Sequence, residues 1–267
     1  MLKVGILGTG TIGTFVANAI DRRQVDAQLV AIADQDCAQA TRLAASLSSH
    51  PPVVSTEELI DRSDLCFEAA SQAALECFVP KALDRGRDML IMSVGGLLGR
   101  QDWFRQAAQR GCRIHVPSGA LAGLDGIKSA SVGRLDSVSL TSRKPVAALL
   151  GAKYVVENGF DLETFTEETV IFEGSVEDAA REFPKTANVA AALRLATSPE
   201  VPVYARIVAV PDGKMNIHEI RVVGEFGRFT AIIENNPSKE NPRTSQLAAY
   251  SAIATLAGLT KLLQVGT

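Results

Sequence analysis

"GILGTGTIGTF", residues 5–15, decides the reading of the fold. An apolar run, "LKVGILG", leads into glycines spaced Gly8-x-Gly10-x-x-Gly13, and an amphipathic run, "TIGTFVANAIDRR", leads away. A strand, a glycine turn and a helix in that order suit a dinucleotide pyrophosphate. Gly8 permits the tight turn, Gly10 lets phosphates approach the backbone, and Gly13 lets the helix lie close to the sheet. The N–H groups of the helix start, where Thr11 and Ile12 stand, then face the phosphates with the positive end of the helix dipole. In a chain with 21 glycines the spacing alone is weak, so the flanking strand and helix carry the assignment.

The same fold needs an acidic residue about 20 positions further on, at the end of the second strand, to hold the adenosine ribose hydroxyls. Asp34 closes "QLVAIAD" at that distance from Gly13. Gln35 and Asp36 follow it, with no Arg, and two carboxylates would repel a 2′-phosphate. NAD is therefore the expected cofactor and NADP the alternative.

Outward from this motif, short apolar runs alternate with amphipathic ones as far as "CRIHVPS". Strands with little internal polarity, separated by helices, indicate a parallel sheet covered on both faces. Residues 1–118 thus read as a Rossmann-type, doubly wound α/β domain. Ligands in such sheets sit beyond the carboxyl ends of the strands, which points to "AAS" (69–71), "SVGG" (93–96) and "PSGALAG" (117–123) for the nicotinamide end.

After Ser118 the texture changes. "ALAGLDGIKSASVG" reads as a helix, "LDSVSLTSRKP" and "EETVIFEGS" as strands, and "VEDAAREF" and "NVAAALRLAT" as helices. "VPVYARIVAV-PDG-KMNIHEIRVVG-EFG-RFTAIIEN" reads as an antiparallel meander of three strands with glycine-containing turns. Residues 119–236 form an α+β second domain on this reading. Two Asn-Pro steps, at 236–237 and 241–242, delay a last helix, about Arg243 to Leu263, and residues 237–267 are expected to pack back on the nucleotide domain.

Composition narrows the partners. With 27 Lys and Arg against 30 Asp and Glu, the formal charge of −3 offers no footprint for nucleic acid or an anionic membrane. No apolar run approaches about 18 residues, and the N-terminus enters a strand without a leader pattern. The four cysteines form no C-x-x-C pair and no His stands at ligand spacing, so no metal is expected and the compartment reads as cytoplasmic.

"KMNIHEI", residues 214–220, places one of only three histidines in a strand. Alternation puts Lys214, Asn216 and His218 on one face, continued by Ile220 and Val222. A polar cluster at one end of an apolar sheet face is a fit wall for a ligand site.

These segments resemble the L-aspartate dehydrogenase family over nearly the whole chain. The specific ones are "VPSGALAGLDGI", "SRKP", "IFEGSVEDAAREFPKTANVAAALRLA", "NIHEI" and "ENPRTSQLAAYSAIA". The resemblance implies oxidation of L-aspartate by NAD to iminoaspartate, then oxaloacetate and ammonia, or the reverse reductive amination, feeding NAD biosynthesis. It implies that His218 is the catalytic histidine and that Ala122 and Asn188 contact the nucleotide. A dicarboxylate substrate also needs cations or N–H donors. Arg243, Thr244 and Ser245 at the last helix start rank first, Lys185 second, and Lys144 of "SRKP" is a further candidate.

Sugar and inositol dehydrogenases share the architecture but carry a Glu-Lys-Pro where this chain reads "SVGG". Dihydrodipicolinate reductase and homoserine dehydrogenase share it too. A dehydrogenase of a small keto or hydroxy acid, or an NAD-binding sensor without turnover, stays open as an alternative. The exposed meander makes a homodimer the expected assembly.

Overall fold

The computed structural model describes residues 1–184, 187–236 and 245–266. The chain divides into two compact units, Met1–Pro117 with Ala249–Gln264, and Ser118–Ala248 with the chain end from Val265.

In the first unit β1 (Leu2–Leu7), α1 (Thr11–Asp21), β2 (Ala27–Ala33), α2 (Cys37–Ser46) and α3 (Thr56–Arg62) are followed by β3 (Leu65–Glu68), α4 (Gln72–Asp84), β4 (Asp88–Ile91), α5 (Gln101–Arg110) and β5 (Ile114–His115). The strands form a parallel sheet in the order β2-β1-β3-β4-β5. Val4, Ile6, Ile32, Leu65 and Phe67 are buried in its core, as two-sided coverage of an all-parallel sheet requires. Ala252, Leu256 and Ala257, near the chain end, complete that same core. Val53 contributes only a single parallel bridge, to Ile32 of β2. "CRIHVPS" shrinks likewise to the two residues of β5.

The second unit contains α6 (Leu124–Ala130), β6 (Leu135–Pro145), α7 (Val146–Leu149), α8 (Lys153–Glu157), β7 (Thr169–Ser175), α9 (Val176–Glu182), α10 (Ala187–Ala196), β8 (Val203–Val210), β9 (Asn216–Gly224) and β10 (Gly227–Asn235). The last helix, α11, spans Gln246–Gly258, ending earlier than the sequence pattern suggests.

One expectation is overturned here. The three strands read as a meander are not consecutive neighbours, because the sheet order is β10-β9-β6-β8-β7. Only β9 and β10 form a hairpin, while β6 lies between β8 and β9, parallel to one and antiparallel to the other. The "PDG" connection carries the chain over β6. Neighbouring strands lie about 4.8 Å apart, so the two-strand gap is about 10 Å, and residues 211–215 easily reach that far. Turn composition marks where a strand ends, not which strand lies next to it.

The insertion of β6 matters for function. It creates one face on which rows of side chains run across the sheet: Ile233, His218, Ser142 and Ile207 are successive register partners. Val138, Leu140, Ile220 and Val222 make the same face apolar further along. The opposite face leaves Tyr204, Arg206, Arg221 and Ile232 exposed.

Candidate active site

The glycine turn has the shape a pyrophosphate cradle needs. Gly8 has φ +98°, a backbone region that side chains disfavour, and a β-carbon on Gly13 would stand 1.9 Å from the Gly8 carbonyl oxygen. At Gly10 a β-carbon would meet nothing within 4 Å, so space opens where phosphates would approach. Gly10 precedes α1 without a side-chain cap, and no acidic residue stands in the first turn, where Thr11 and Ile12 are half-buried. The helix thus presents free N–H groups to an anion.

Asp34 lies beside this turn. Its Oδ2 accepts from the Thr9 N–H at 2.6 Å and from the Thr9 hydroxyl at 2.8 Å, while Oδ1 accepts from the Asp36 N–H at 2.9 Å. Burial favours the neutral acid, but the donors of Asp36 and Thr9 outweigh it and hold the carboxyl below its ordinary value. It is an ionised acceptor fixed to the glycine turn. Asp36 is committed elsewhere: it caps α2 by accepting from the Gln39 N–H at 2.9 Å.

In the second unit the polar end of the sheet face is buried. Ser142 and Lys144 of β6 and Asn216 and His218 of β9 are 6 %, 8 %, 6 % and 3 % exposed. Ser142 and His218 are direct cross-strand partners, and Ser142 Oγ lies 2.9 Å from His218 Nδ1. Either the hydroxyl donates to a bare Nδ1, or Nδ1–H donates to the hydroxyl; both leave Nε2 as the ring nitrogen for another partner. Burial, with the Lys144 ammonium second, holds His218 down to about 3, so its ring is neutral near pH 7.

Lys144 is lowered to about 8 by burial alone, with no carboxylate against it. A largely charged ammonium with no anionic partner among the described residues is unusual, because burying an unpaired charge costs several kcal/mol. Beside it Asn216 Oδ1 is buried and has no hydrogen-bond partner among the described residues. An unpaired cation, an unsatisfied amide oxygen and a neutral imidazole on one sheet face form a site incomplete without an anionic, hydrogen-bonding ligand.

The remaining sequence candidates fall in several places. Ala122 is exposed in the loop before α6, and Asn188 is exposed in the first turn of α10, both in the second unit. Ser245 is buried, and its hydroxyl donates to Asn235 Oδ1 at 2.7 Å. Asn235 in turn donates to the Ala120 carbonyl at 3.1 Å, so this pair braces the end of β10. Lys185, Arg243 and Thr244 lie outside the described residues. Lys214, grouped with His218 by alternation, precedes β9 and is exposed. Sequence reasoning gave Ser142 no role and placed Asn216 only in the polar wall around His218; the signal for Ser142 was a polar residue at alternate positions of the end of β6.

No group of three or more His, Cys, Asp or Glu side chains that could hold a metal ion occurs among the described residues. No described helix is long and apolar enough to cross a membrane.

Residues 125–259 match the family described as aspartate dehydrogenase, C-terminal, and residues 8–117 match the NAD binding domain of homoserine dehydrogenase. The chain is 45% identical to the L-aspartate dehydrogenase of Methanosarcina mazei over 271 residues, covering 100% of both. It is 37% identical to that of Methanococcus maripaludis over 272 residues, again covering 100% of both. In fold it is similar to the aspartate dehydrogenase of Thermotoga maritima, with a TM-score of 0.74, 24% identity and 100% of both chains covered. The scyllo-inositol dehydrogenase of Lactobacillus casei shares the architecture at a TM-score of 0.59 and 12% identity, over 100% of this chain and 90% of that one.

Proposed function

Because this chain belongs to the L-aspartate dehydrogenase family, we propose that it interconverts L-aspartate with iminoaspartate, and through water with oxaloacetate and ammonia, using a nicotinamide dinucleotide. The observation that carries the substrate side is Lys144: a buried ammonium without a counter-ion among the described residues, on the sheet face that holds His218. The family resemblance adds Ala122 and Asn188 to the nucleotide contacts.

Gly8, Gly10 and Gly13 with the α1 N-terminus would hold the pyrophosphate, and Asp34 the adenosine ribose. NAD is favoured over NADP by the Asp34 and Asp36 carboxylates on that side. The bound dinucleotide supplies the hydride acceptor.

The chain's own residues then have three tasks. Lys144 pairs with a substrate carboxylate, whose two oxygens supply the charge its burial leaves unbalanced. His218 takes a proton from the substrate ammonium, which frees the nitrogen lone pair that forms the C=N bond as hydride leaves Cα. Nδ1–H donating to Ser142 leaves the Nε2 lone pair as the base, and the strand holds the ring at a fixed angle. Burial is the larger cause of His218's lowered value, but a carboxylate arriving beside Lys144 offsets the second, the ammonium charge, so substrate binding strengthens the base. Asn216 Oδ1 is the spare acceptor for a substrate N–H.

A homodimer fits the open face of the second sheet, where Tyr204 and Ile232 are 56% and 62% exposed and a second copy would cover them. The four free thiols suit a reducing compartment such as the cytoplasm. The iminoaspartate formed would serve NAD biosynthesis.

The reading is tested by following NADH absorbance with oxaloacetate. Consumption that depends on added ammonium supports it. Consumption without ammonium indicates a hydroxy-acid dehydrogenase, and NADH binding without turnover indicates a sensor.

A further inference from the structure

Glu68 ends β3 with its side chain wholly buried, and the chemistry above gives it no task. Its register partners on the neighbouring strands are Leu7 and Ile91, both buried and apolar, as the interior of a parallel sheet demands. Burial pushes the Glu68 carboxyl up, and donors from Ser93, Ala70 and Met92 only partly offset this. An apolar residue here would avoid that cost, so the carboxylate calls for a geometric reason.

Its hydrogen bonds supply one. Oε1 accepts from the Ser93 hydroxyl at 2.7 Å and from the Ala70 N–H at 2.8 Å, and Oε2 accepts from the Ser93 N–H at 3.1 Å. One side chain thereby joins the segments that leave β3 and β4. The Ala69–Ala70 backbone also abuts the glycine turn: a β-carbon on Gly8 would stand 2.6 Å from the Ala69 carbonyl and 2.7 Å from the Ala70 nitrogen. Ser93, for its part, opens the short turn Val94–Leu97, in which Gly95 and Gly96 are half-buried. Both segments lie at the carboxyl ends of neighbouring strands, where an open α/β sheet receives its ligand.

We propose that Glu68 is a positioning residue for the nicotinamide half of the dinucleotide, fixing the spacing between the Ala69–Ser71 and Ser93–Gly96 segments. The proposal rests on the first unit binding a nicotinamide dinucleotide, and not on the identity of the substrate. In Glu68→Gln the amide NH2 replaces one acceptor oxygen and confronts a donor, so one of the two segments loses its tie. Ser93→Ala removes only the hydroxyl bond and keeps the backbone one.

Fluorescence titration of both variants with NADH and with ADP-ribose, which lacks the nicotinamide, tests the assignment. The expected result is NADH binding weakened about tenfold or more in Glu68→Gln and about threefold in Ser93→Ala, with ADP-ribose changed less than about twofold. Emission of the bound NADH should also move towards that of free NADH. Equal weakening of both ligands would mark a merely structural role and overturn the proposal, as would unchanged NADH affinity. If Glu68→Gln does not fold, the NADH-to-ADP-ribose ratio in Ser93→Ala decides the question. Failure of the wild-type protein to bind either ligand would remove the dinucleotide reading itself, a result distinct from any change confined to the variants.

Discussion

Ser142 and His218 meet across the β6–β9 ladder as direct register partners, with the hydroxyl oxygen 2.9 Å from Nδ1. The bond fixes the ring on a strand rather than a loop, and orients it by a neighbour that carries no charge. A neutral partner leaves the Lys144 ammonium as the charge acting on the imidazole in the free protein. An acidic partner at this position would instead raise the ring's proton affinity and compete with substrate for Lys144.

Lys144 should cost stability and confer activity. Replacing a buried ion with an apolar side chain of similar volume is often stabilising by about 1–4 kcal/mol. Lys144→Met is therefore expected to unfold at higher urea concentration than wild type near pH 7. Its kcat/KM for aspartate should fall by about two orders of magnitude, since the variant removes one partner of a buried charge pair. Urea unfolding and steady-state kinetics on one preparation check both directions, and a destabilised variant with normal kinetics would contradict the assignment.

His218 should make stability fall with acid. Its folded value of about 3 lies below the ordinary value near 6.5, so the unfolded chain binds a proton that the folded chain refuses. The contribution is fully present above pH 6.5 and is lost as pH falls from there towards 3, at about 1.4 kcal/mol per pH unit at most. His218→Gln should lose this dependence, so the stability difference between variant and wild type should shift in favour of the variant from pH 6.5 to pH 4. Urea unfolding at several pH values across that window measures it, and parallel curves would refute it.

Asp34 should govern the choice between dinucleotides. Asp34→Asn keeps the size but removes the charge that holds ribose hydroxyls and repels a 2′-phosphate. NAD affinity should fall about tenfold, as expected for a lost charge-assisted hydrogen bond, while NADP affinity holds or improves. Calorimetric titration of both dinucleotides checks the ratio.

Much of this was legible locally. Gly8, Gly10, Gly13 and Asp34 stand on a strand, a turn and a helix adjacent in sequence, so the spacing together with the flanking apolar and amphipathic runs specifies their local geometry. The His218 face was legible too, because alternation is a property of one strand: Asn216, His218, Ile220 and Val222 are all buried together. What lay hidden was non-local. Periodicity shows where β6, β8 and β9 run but not that β6 lies between the other two, and only that order brings Ser142 and Lys144 beside His218. Glu68 had a signal, a lone acid inside the apolar run "LCFEAA", but its meaning depends on Ser93 from the next strand.

On the proposed mechanism His218 handles the proton of amino-acid oxidation without holding the dinucleotide. His218→Ala, assayed for both NADH affinity and aspartate-dependent NAD reduction, tests it most directly. The expected result is an NADH dissociation constant within about twofold of wild type and kcat lowered about 100- to 10,000-fold, the range for loss of a general base. Turnover within a few-fold of wild type, or NADH binding lost in step with activity, would contradict it.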